Sequence, residues 1–400
     1  MMTVSDAIER LLATVPAPPV SEQVPLAMAL HRVLAEDVHS TVAVPPRDNS
    51  AVDGYAVRYA ELMATAGPLP VSQRVPAGSR PPPLTPGTAA RIFTGATVPE
   101  GADTVIMQED SVVDDDGIRV SSPEAITAGA HIRRRGQDVA LGSRVLAAGT
   151  RLSPRHIGLL GSVGLAQLPV FRRLRVAVLS TGDELVEPGE PTHDGQIYNS
   201  NRYLLCALLS QAGFEPVDMG RVEDRLDVTH AALCRAADAA DLVLTTGGVS
   251  VGEEDHVRAA VTLSGTLDLW RVAIKPGKPF ALGEVAGTPF MGLPGNPSAV
   301  LVTFMIMVLP WLRAAQGVAP PWHLGESRLR AGFALDRPGR RQEYLRVQVE
   351  RDADGEYLRL HPNQSSGMLS SACWAHGLAV VPAGATVVEG EPLTFLRFED

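Results

Sequence analysis

Residues 241–255, DLVLTTGGVSVGEED, restrict the architecture of this chain more than any other stretch. Leu242, Val243 and Leu244 form a short apolar run of the kind that makes a strand buried on both faces. Thr245, Thr246, Gly247 and Gly248 follow, small residues that let the backbone turn sharply with its N–H groups exposed. Residues 250–255 then read as the start of a helix, with Ser250 at its head and Glu253, Glu254 and Asp255 in an acidic first turn. A strand, a glycine turn and a helix N-terminus make a site for an anion such as phosphate. The neighbouring carboxylates repel a bare phosphate, so a bridging cation, Mg²⁺, is the natural completion. Gly247 and Gly252 have the spacing of a Walker A loop, but Glu253 and Glu254 stand where that motif needs Lys and Ser/Thr, and no G-x-G-x-x-G occurs here. Alone, the stretch fits an ordinary strand-to-helix turn with a solvated acidic cap equally well.

Its surroundings fix the class. A strand at 175–180 leads through Thr181, Gly182, Asp183 and Glu184 to a helix at 200–212, apolar at Leu204, Leu205, Leu208 and Leu209. A second strand lies near 215–219 and a second helix at 226–239. Alternating strands and helices predict a multidomain α/β protein whose central sheet is parallel and doubly wound, with ligands at the C-terminal ends of the strands. STGDE at 180–184 and TTGGVS at 245–250 both fall on that edge. Lys275-Pro276-Gly277-Lys278-Pro279 follows an expected strand at 269–274. After a strand at 290–293, Pro294-Gly295-Asn296-Pro297 turns into an apolar helix with Asn296 as N-cap and Pro297 at the first helical position.

Four hundred residues allow two to four domains. Residues 1–41 and 146–172 read as helical segments of one domain, with Ser153 capping a helix that Pro154 opens. Residues 42–145, broken by PAGSRPPPLTPG at 76–87, read as an inserted all-β domain. Residues 173–320 form the α/β domain, and 321–400 alternate as a C-terminal β-barrel or sandwich. Lys plus Arg number 35 against 45 Asp plus Glu, a net −10 that argues against nucleic acid or an anionic membrane as partner. An acidic protein with an anionic substrate must concentrate its cations locally. Cys206, Cys234 and Cys373 lack any C-x-x-C pairing, which suggests reduced thiols and a cytoplasmic location. The start of the sequence, with Asp6, Glu9 and Arg10, lacks a secretory signal pattern. The apolar run 299–312 falls short of a membrane span and reads as a buried helix.

Four polar clusters could carry chemistry. The first is PPRDNSAVDGY at 45–55, which also fits a structural loop. In the second, Asp183 and Glu184 stand with Asn199, Ser200 and Asn201; carboxylates at a strand's C-terminal end suit a metal or a base, and an N-cap explains them too. Asp224, Glu254 and Asp255 are candidate Mg²⁺ ligands, although isolated acids are usually solvated surface. The fourth cluster is Lys275 and Lys278, two cations in a loop stiffened by proline. An ion pair at about 4 Å is worth roughly 4 kcal/mol at an effective dielectric near 20, enough to matter for a dianion.

Together these motifs resemble the molybdopterin molybdenumtransferase family, the molybdenum-insertion enzymes of cofactor biosynthesis that include the E domain of gephyrin. The residues that carry the resemblance are NSAVDGYAVR at 49–58, RIFTGATVPEGADTVIMQED at 91–110, STGDEL at 180–185, TTGGVSVGEEDHV at 245–257, IKPGKPFALG at 274–283 and GLPGNPSAV at 292–300. Val52 stands where the family commonly has Met, and Arg271 where some members have Lys. The resemblance implies an L-shaped homodimer of four-domain subunits, its cleft lying between the α/β domain of one subunit and the inserted β domain of the other. It implies a reaction in which adenylylated molybdopterin and molybdate react with Mg²⁺, AMP leaves and molybdenum stays on the dithiolene. Gly247, Gly248, Ser250, Pro294, Asn296 and Pro297 would hold pterin and phosphates. Glu184, Asp224 and Asp255 would hold Mg²⁺; Lys275, Lys278, Arg346 and Ser366 would receive molybdate, with Arg271 nearby; Asp53 and Thr94 would arrive from the other subunit. A molybdopterin adenylyltransferase, and molybdoenzymes or their chaperones, are the implied partners. A non-catalytic scaffold binding peptides at the dimer edge is the alternative, and a scaffold has no use for Asp53, Asp224, Asp255 and both loop lysines. The adenylyltransferase step itself leaves 1–170 and 323–400 without a purpose.

Overall fold

The computed structural model describes residues 1–248 and 256–398. At its centre is a six-stranded sheet in the order Glu215–Val222, Arg175–Thr181, Leu242–Thr246, Thr288–Leu293, Pro279–Val285, Gly265–Arg271. The first four strands are mutually parallel. Alternation along each strand feeds two cores. Val176, Val178, Leu242, Leu244, Met291 and Leu293 point to one face, where Leu205 and Leu209 of helix Ser200–Ala212 cover them. Ala177, Leu179, Val243 and Phe290 point to the other, against Ala232, Leu233 and Ala236 of helix Leu226–Ala239 and Val257, Ala260 and Val261 of helix His256–Ser264. The chain runs from Arg175–Thr181 outward to Glu215–Val222, then returns to the other side at Leu242–Thr246. That reversal opens a crevice at the C-terminal ends of the two middle strands.

The sheet is mixed rather than wholly parallel. Pro279–Val285 runs antiparallel to both neighbours. Ala286 and Gly287, with φ of 49° and 85°, make the tight two-residue turn that joins it to Thr288–Leu293 in a hairpin. The strand expected at 269–274 stops at Arg271; Ile274 and Lys275 instead pair with Gln342 and Glu343 of the C-terminal domain.

The apolar helix is longer than its uncharged core suggests. Helical turns run over Pro297–Ala315, long and apolar enough to cross a membrane, yet 94% of that apolar stretch is buried inside the protein. Its middle, Phe304–Val308, widens to π-helical turns just before Pro310, which has no N–H for the carbonyl of Ile306. Helix Val4–Leu12 packs on it through Val4, Ala7 and Leu11, and the Trp311 indole N–H donates to the Thr14 hydroxyl at 3.1 Å.

Residues 17–40, expected to be helical, are mostly extended. Ser21–Pro25 pairs antiparallel with Gln167–Phe171, and Val38–His39 with Arg144–Leu146. Pro16, Pro18, Pro19 and Pro25 supply no helix donors, which limits regular helix here to a turn at Leu26–Met28. Helix Pro154–Ser162 begins at the expected cap, Ser153, in a capping box with His156. The β insert is built on the sheet Val71–Val75, Ala89–Ile92, Gly54–Val57, Thr104–Met107. In the C-terminal domain, five strands close into a barrel: Gln342–Asp352, Gly355–Leu360, Glu326–Ala331, Pro392–Arg397 and Gly377–Val381, which pairs back onto the first. Tyr344, Leu378 and Leu396 of the barrel share a core with Trp311 and Met291, so the barrel and the α/β domain are packed as one mass.

Candidate active-site cleft

On the C-terminal edge of the central sheet lies a cleft of about 300 Å³, lined by Thr181, Glu184, Leu185, Asn199, Asn201, Thr246, Gly247, Gly295, Asn296 and Pro297 among others. Gly247 and Gly248 take φ of 85° and 64°, conformations open to glycine at little strain, and a Cβ on Gly248 would collide with Val257. The Gly247 N–H donates to the Leu293 carbonyl at 3.2 Å, and a Cβ placed on Gly295 would lie 3.9 Å from Gly247 Cα. The KPGKP loop joins the same edge: a Cβ at Gly277 would collide with the Thr303 hydroxyl and lie 3.8 Å from Pro294 Cγ. The 294–297 turn therefore abuts both the 246–248 turn and the 275–279 loop. Ser250 and Asp255 lie outside the described residues.

Asn296 occupies the N-cap position of helix Pro297–Thr303, but its side chain makes no cap hydrogen bond and is left to line the cleft. Asn201 donates Nδ2–H to the Gly295 carbonyl at 2.7 Å, while its buried Oδ1 has no partner, an acceptor unspent in the cleft wall. Asn199 caps helix Ser200–Ala212 by accepting the Arg202 N–H. The sequence placed Asn201 in the second polar cluster, but its bond to Gly295 was not legible there.

Glu184 and Asp224 follow the adjacent parallel strands Arg175–Thr181 and Glu215–Val222, and the Asp224 N–H donates to Asp183 Oδ1 at 3.3 Å. The Glu184 carboxylate lies over Gly182, where a Cβ would collide with it. Hard carboxylate oxygens at neighbouring strand ends suit Mg²⁺, which binds through one or two carboxylates and completes its shell with water and phosphate oxygens. No group of three His, Cys, Asp or Glu closes around a point among the described residues.

Lys275 Nζ is 3.1 and 3.0 Å from the two carboxylate oxygens of Glu343, whose side chain is only 15% exposed. Lys278 is exposed on the other side of Gly277. Arg271 ends the outer strand on the same edge of the sheet, and its carbonyl accepts the Met2 N–H. Arg346 is buried at 1% exposure; its guanidinium donates to the Ser371 hydroxyl and the Ser365 carbonyl, and burial pushes its pKa down. Ser366 accepts the Ser298 N–H at its carbonyl, so the segment Arg346 holds sits on the first turn of helix Pro297–Thr303. Arg346 thus supports the 364–371 segment from below. Glu343, three residues before Arg346, is a site neighbour that sequence reading missed.

Asp53 and Thr94 meet in the β insert because Gly54 pairs with Ile92 across the sheet. The Thr94 N–H and hydroxyl both donate to Asp53 Oδ1 at 2.7 Å. The Thr94 backbone bond and then its side-chain bond hold the Asp53 carboxyl below its ordinary range, with help from the Arg91 charge. Arg91 is stacked near Tyr55 and Phe93 and donates to the Gly54 carbonyl and Gln108. Among the described residues, no hydrogen bond or ion pair joins Asp53 or Thr94 to the cleft of the same chain.

Three family profiles match in order along the chain: "MoeA N-terminal region (domain I and II)" over residues 2–164, "Probable molybdopterin binding domain" over 177–314 and "MoeA C-terminal region (domain IV)" over 328–398. A Haemophilus influenzae protein named molybdopterin molybdenumtransferase is 43% identical over 318 residues, covering 79% of this chain and 78% of its own. A Nostoc protein of the same name is 38% identical over 380 residues, 92% of this chain and 86% of its own. The crystal structure of a Pyrococcus horikosii molybdopterin biosynthesis MoeA protein superposes with a TM-score of 0.79 at 32% identity, covering all of both chains.

Proposed function

The chain belongs to the molybdopterin molybdenumtransferase family of molybdenum cofactor biosynthesis, and from that premise we propose that it inserts molybdenum from molybdate into adenylylated molybdopterin, with release of AMP. The observation that carries this reading is the meeting of the 246–248, 294–297 and 275–279 turns at one sheet edge. The glycine turns line the cleft and the loop that bears the two lysines packs beside the Pro294 turn, which would let two anionic reactants be held side by side. The amides of the Gly247 and Gly295 turns would hold phosphate oxygens, and Asn201 and Asn296 would bind the pterin's polar edge. Glu184, Asp224 and Asp255 would hold Mg²⁺, which supplies charge neutralisation at the pyrophosphate. Lys275 and Lys278 would receive molybdate, with Ser366 beside them and Arg346 fixing the segment that bears it. Water cleaves the pyrophosphate bond, AMP leaves, and the oxyanion already held by the lysines meets the freed dithiolene product. In this reading Asp53 and Thr94 reach the cleft from the other subunit of a homodimer. The reaction would run in the cytoplasm, downstream of a molybdopterin adenylyltransferase that supplies the substrate.

The test is incubation of the purified protein with adenylylated molybdopterin, Mg²⁺ and molybdate, following AMP by chromatography. Lys275→Ala and Asp255→Ala should each slow AMP release ten-fold or more, about 1.4 kcal/mol or above in the barrier. Near-wild-type turnover in both variants rules out this site.

A further inference from the structure

We infer that Glu343 governs oxyanion affinity at the KPGKP loop: it holds Lys275 in place and keeps the lysine's charge partly neutralised until the oxyanion competes for it. The inference rests on the function proposed above and adds to it a residue of the C-terminal domain. Glu343 faces Lys275 because their backbones are in register, Lys275 paired with Glu343 and Ile274 with Gln342. Both carboxylate oxygens are spent on the one ammonium, at 3.1 and 3.0 Å. The contact is held from both sides. A Cβ on Gly339 would collide with Glu343 Oε1, so that glycine leaves the space the carboxylate fills, and the Arg341 guanidinium donates to the Ile274 carbonyl at 3.1 Å.

Exposure is asymmetric across the pair, 15% for the Glu343 side chain and 46% for Lys275. The lysine faces outward with donors to spare, while the carboxylate has Lys275 as its ion-pair partner among the described residues. A dianion arriving at Lys275 meets one of two costs. Either it displaces Glu343 and leaves a mostly buried carboxylate unpaired, or it settles on the remaining N–H donors a few ångströms from a like charge. Both lower the affinity for a free oxyanion. Among the described residues no carboxylate pairs with Lys278, beyond Gly277, so a dianion engages the two lysines unequally. Molybdate bound weakly on its own would be retained only when the organic substrate is also seated.

Titration of the purified full-length protein with sodium molybdate, without the organic substrate, tests this. Glu343→Gln keeps a carbonyl acceptor toward Lys275 and removes the charge, and should bind molybdate roughly three- to ten-fold more tightly than wild type. Glu343→Asp keeps the charge and should bind no more tightly than wild type. In the AMP-release assay, Glu343→Gln should lower the molybdate KM in the same proportion. A purely structural glutamate gives the opposite or no change: equal or weaker binding by Glu343→Gln at an unchanged Tm overturns the inference. If Glu343→Gln does not fold, Gly339→Ala is the second arm, since it drives the carboxylate off Lys275 without removing it. Its molybdate affinity should rise, and an unchanged or lower affinity again overturns the inference. A wild-type protein that neither binds molybdate nor releases AMP sinks the proposed function itself, whereas normal AMP release with equal affinities sinks only the role of Glu343.

Discussion

Thr94 gives both its N–H and its hydroxyl to one oxygen of Asp53, and that local chemistry decides the charge of the only carboxylate the β insert offers to the reaction as proposed. Hydrogen bonds to the ionised form favour it, so Asp53 stays negative through the neutral and mildly acid range. Thr94→Ala deletes the hydroxyl and keeps the amide. The Asp53 carboxyl should titrate higher in that variant, toward the ordinary carboxylate value, as read by carboxyl NMR. AMP release should fall by about ten-fold, roughly 1.4 kcal/mol. An unmoved Asp53 titration would mean that the hydroxyl does nothing the amide does not. At this scale the sequence was legible where a residue's position fixed its task, as at Ser153 and Asn296, both of which stand at helix N-caps. It was silent on partners brought from elsewhere in the chain. Nothing in QEYLRV marks Glu343 as the counter-charge of Lys275, 68 residues away. Nor does the sequence show that Arg346 is sunk beneath the 364–371 segment.

Between residue and molecule, the decisive unit is the turn after strand Leu242–Thr246. Gly248 is held at φ 64° with Val257 where a side chain would begin, so the turn and the following helix are matched in shape. Gly248→Ala should cost about 2–3 kcal/mol from left-handed strain and overpacking together. Adding Val257→Ala should recover part of it, with a coupling of at least about 0.5 kcal/mol in a double-mutant cycle. Additive effects would show that Val257 is not what confines the turn. At the other end of that strand, Asp241 accepts both guanidinium N–H groups of Arg172 at 3.0 and 2.8 Å and the Arg175 N–H at 2.7 Å. Burial pushes the Asp241 carboxyl up, but these bonds and the arginine charges outweigh it and hold it below its ordinary range. A carboxylate depressed on folding stabilises above its unfolded pKa and loses that contribution as pH falls through the folded value. Asp241→Asn should therefore lower stability by about 1–2 kcal/mol at pH 7, discounted for partial exposure, and the gap from wild type should close below about pH 4. Helices Ser200–Ala212 and Leu226–Ala239 were legible to the residue, because apolar spacing and flanking polar residues agreed there. Strand Pro279–Val285 joins Thr288–Leu293 through Ala286 and Gly287, a weaker hairpin signal than Asn-Gly, so this antiparallel strand went unread beside the parallel ones. In residues 17–40 apolar spacing suggested helix, and proline with long-range pairing to Gln167–Phe171 prevailed.

For the whole molecule, the question is where the β insert acts. Asp53 and Thr94 have no hydrogen bond or ion pair to the cleft of their own chain among the described residues, whereas the barrel and the α/β domain share one core. The proposed function has Asp53 and Thr94 reach the cleft across a two-fold axis, each subunit lending its insert to the other, and the separation of cleft and insert in one chain is what that proposal requires. That arrangement has an arithmetic consequence. Take Asp53→Ala, dead through the insert, and Lys275→Ala, dead through the cleft, and mix them after reversible dissociation. In each mixed dimer, one site pairs the intact cleft of the Asp53→Ala chain with the intact insert of the Lys275→Ala chain, and the other site carries both lesions. Random reassortment makes half the dimers mixed, so about one quarter of all sites recover. AMP release should rise from near zero in either variant alone to about a quarter of the wild-type rate in the mixture, in step with the mixed-dimer fraction seen by native mass spectrometry. A site built within one chain gives no recovery however long the subunits exchange.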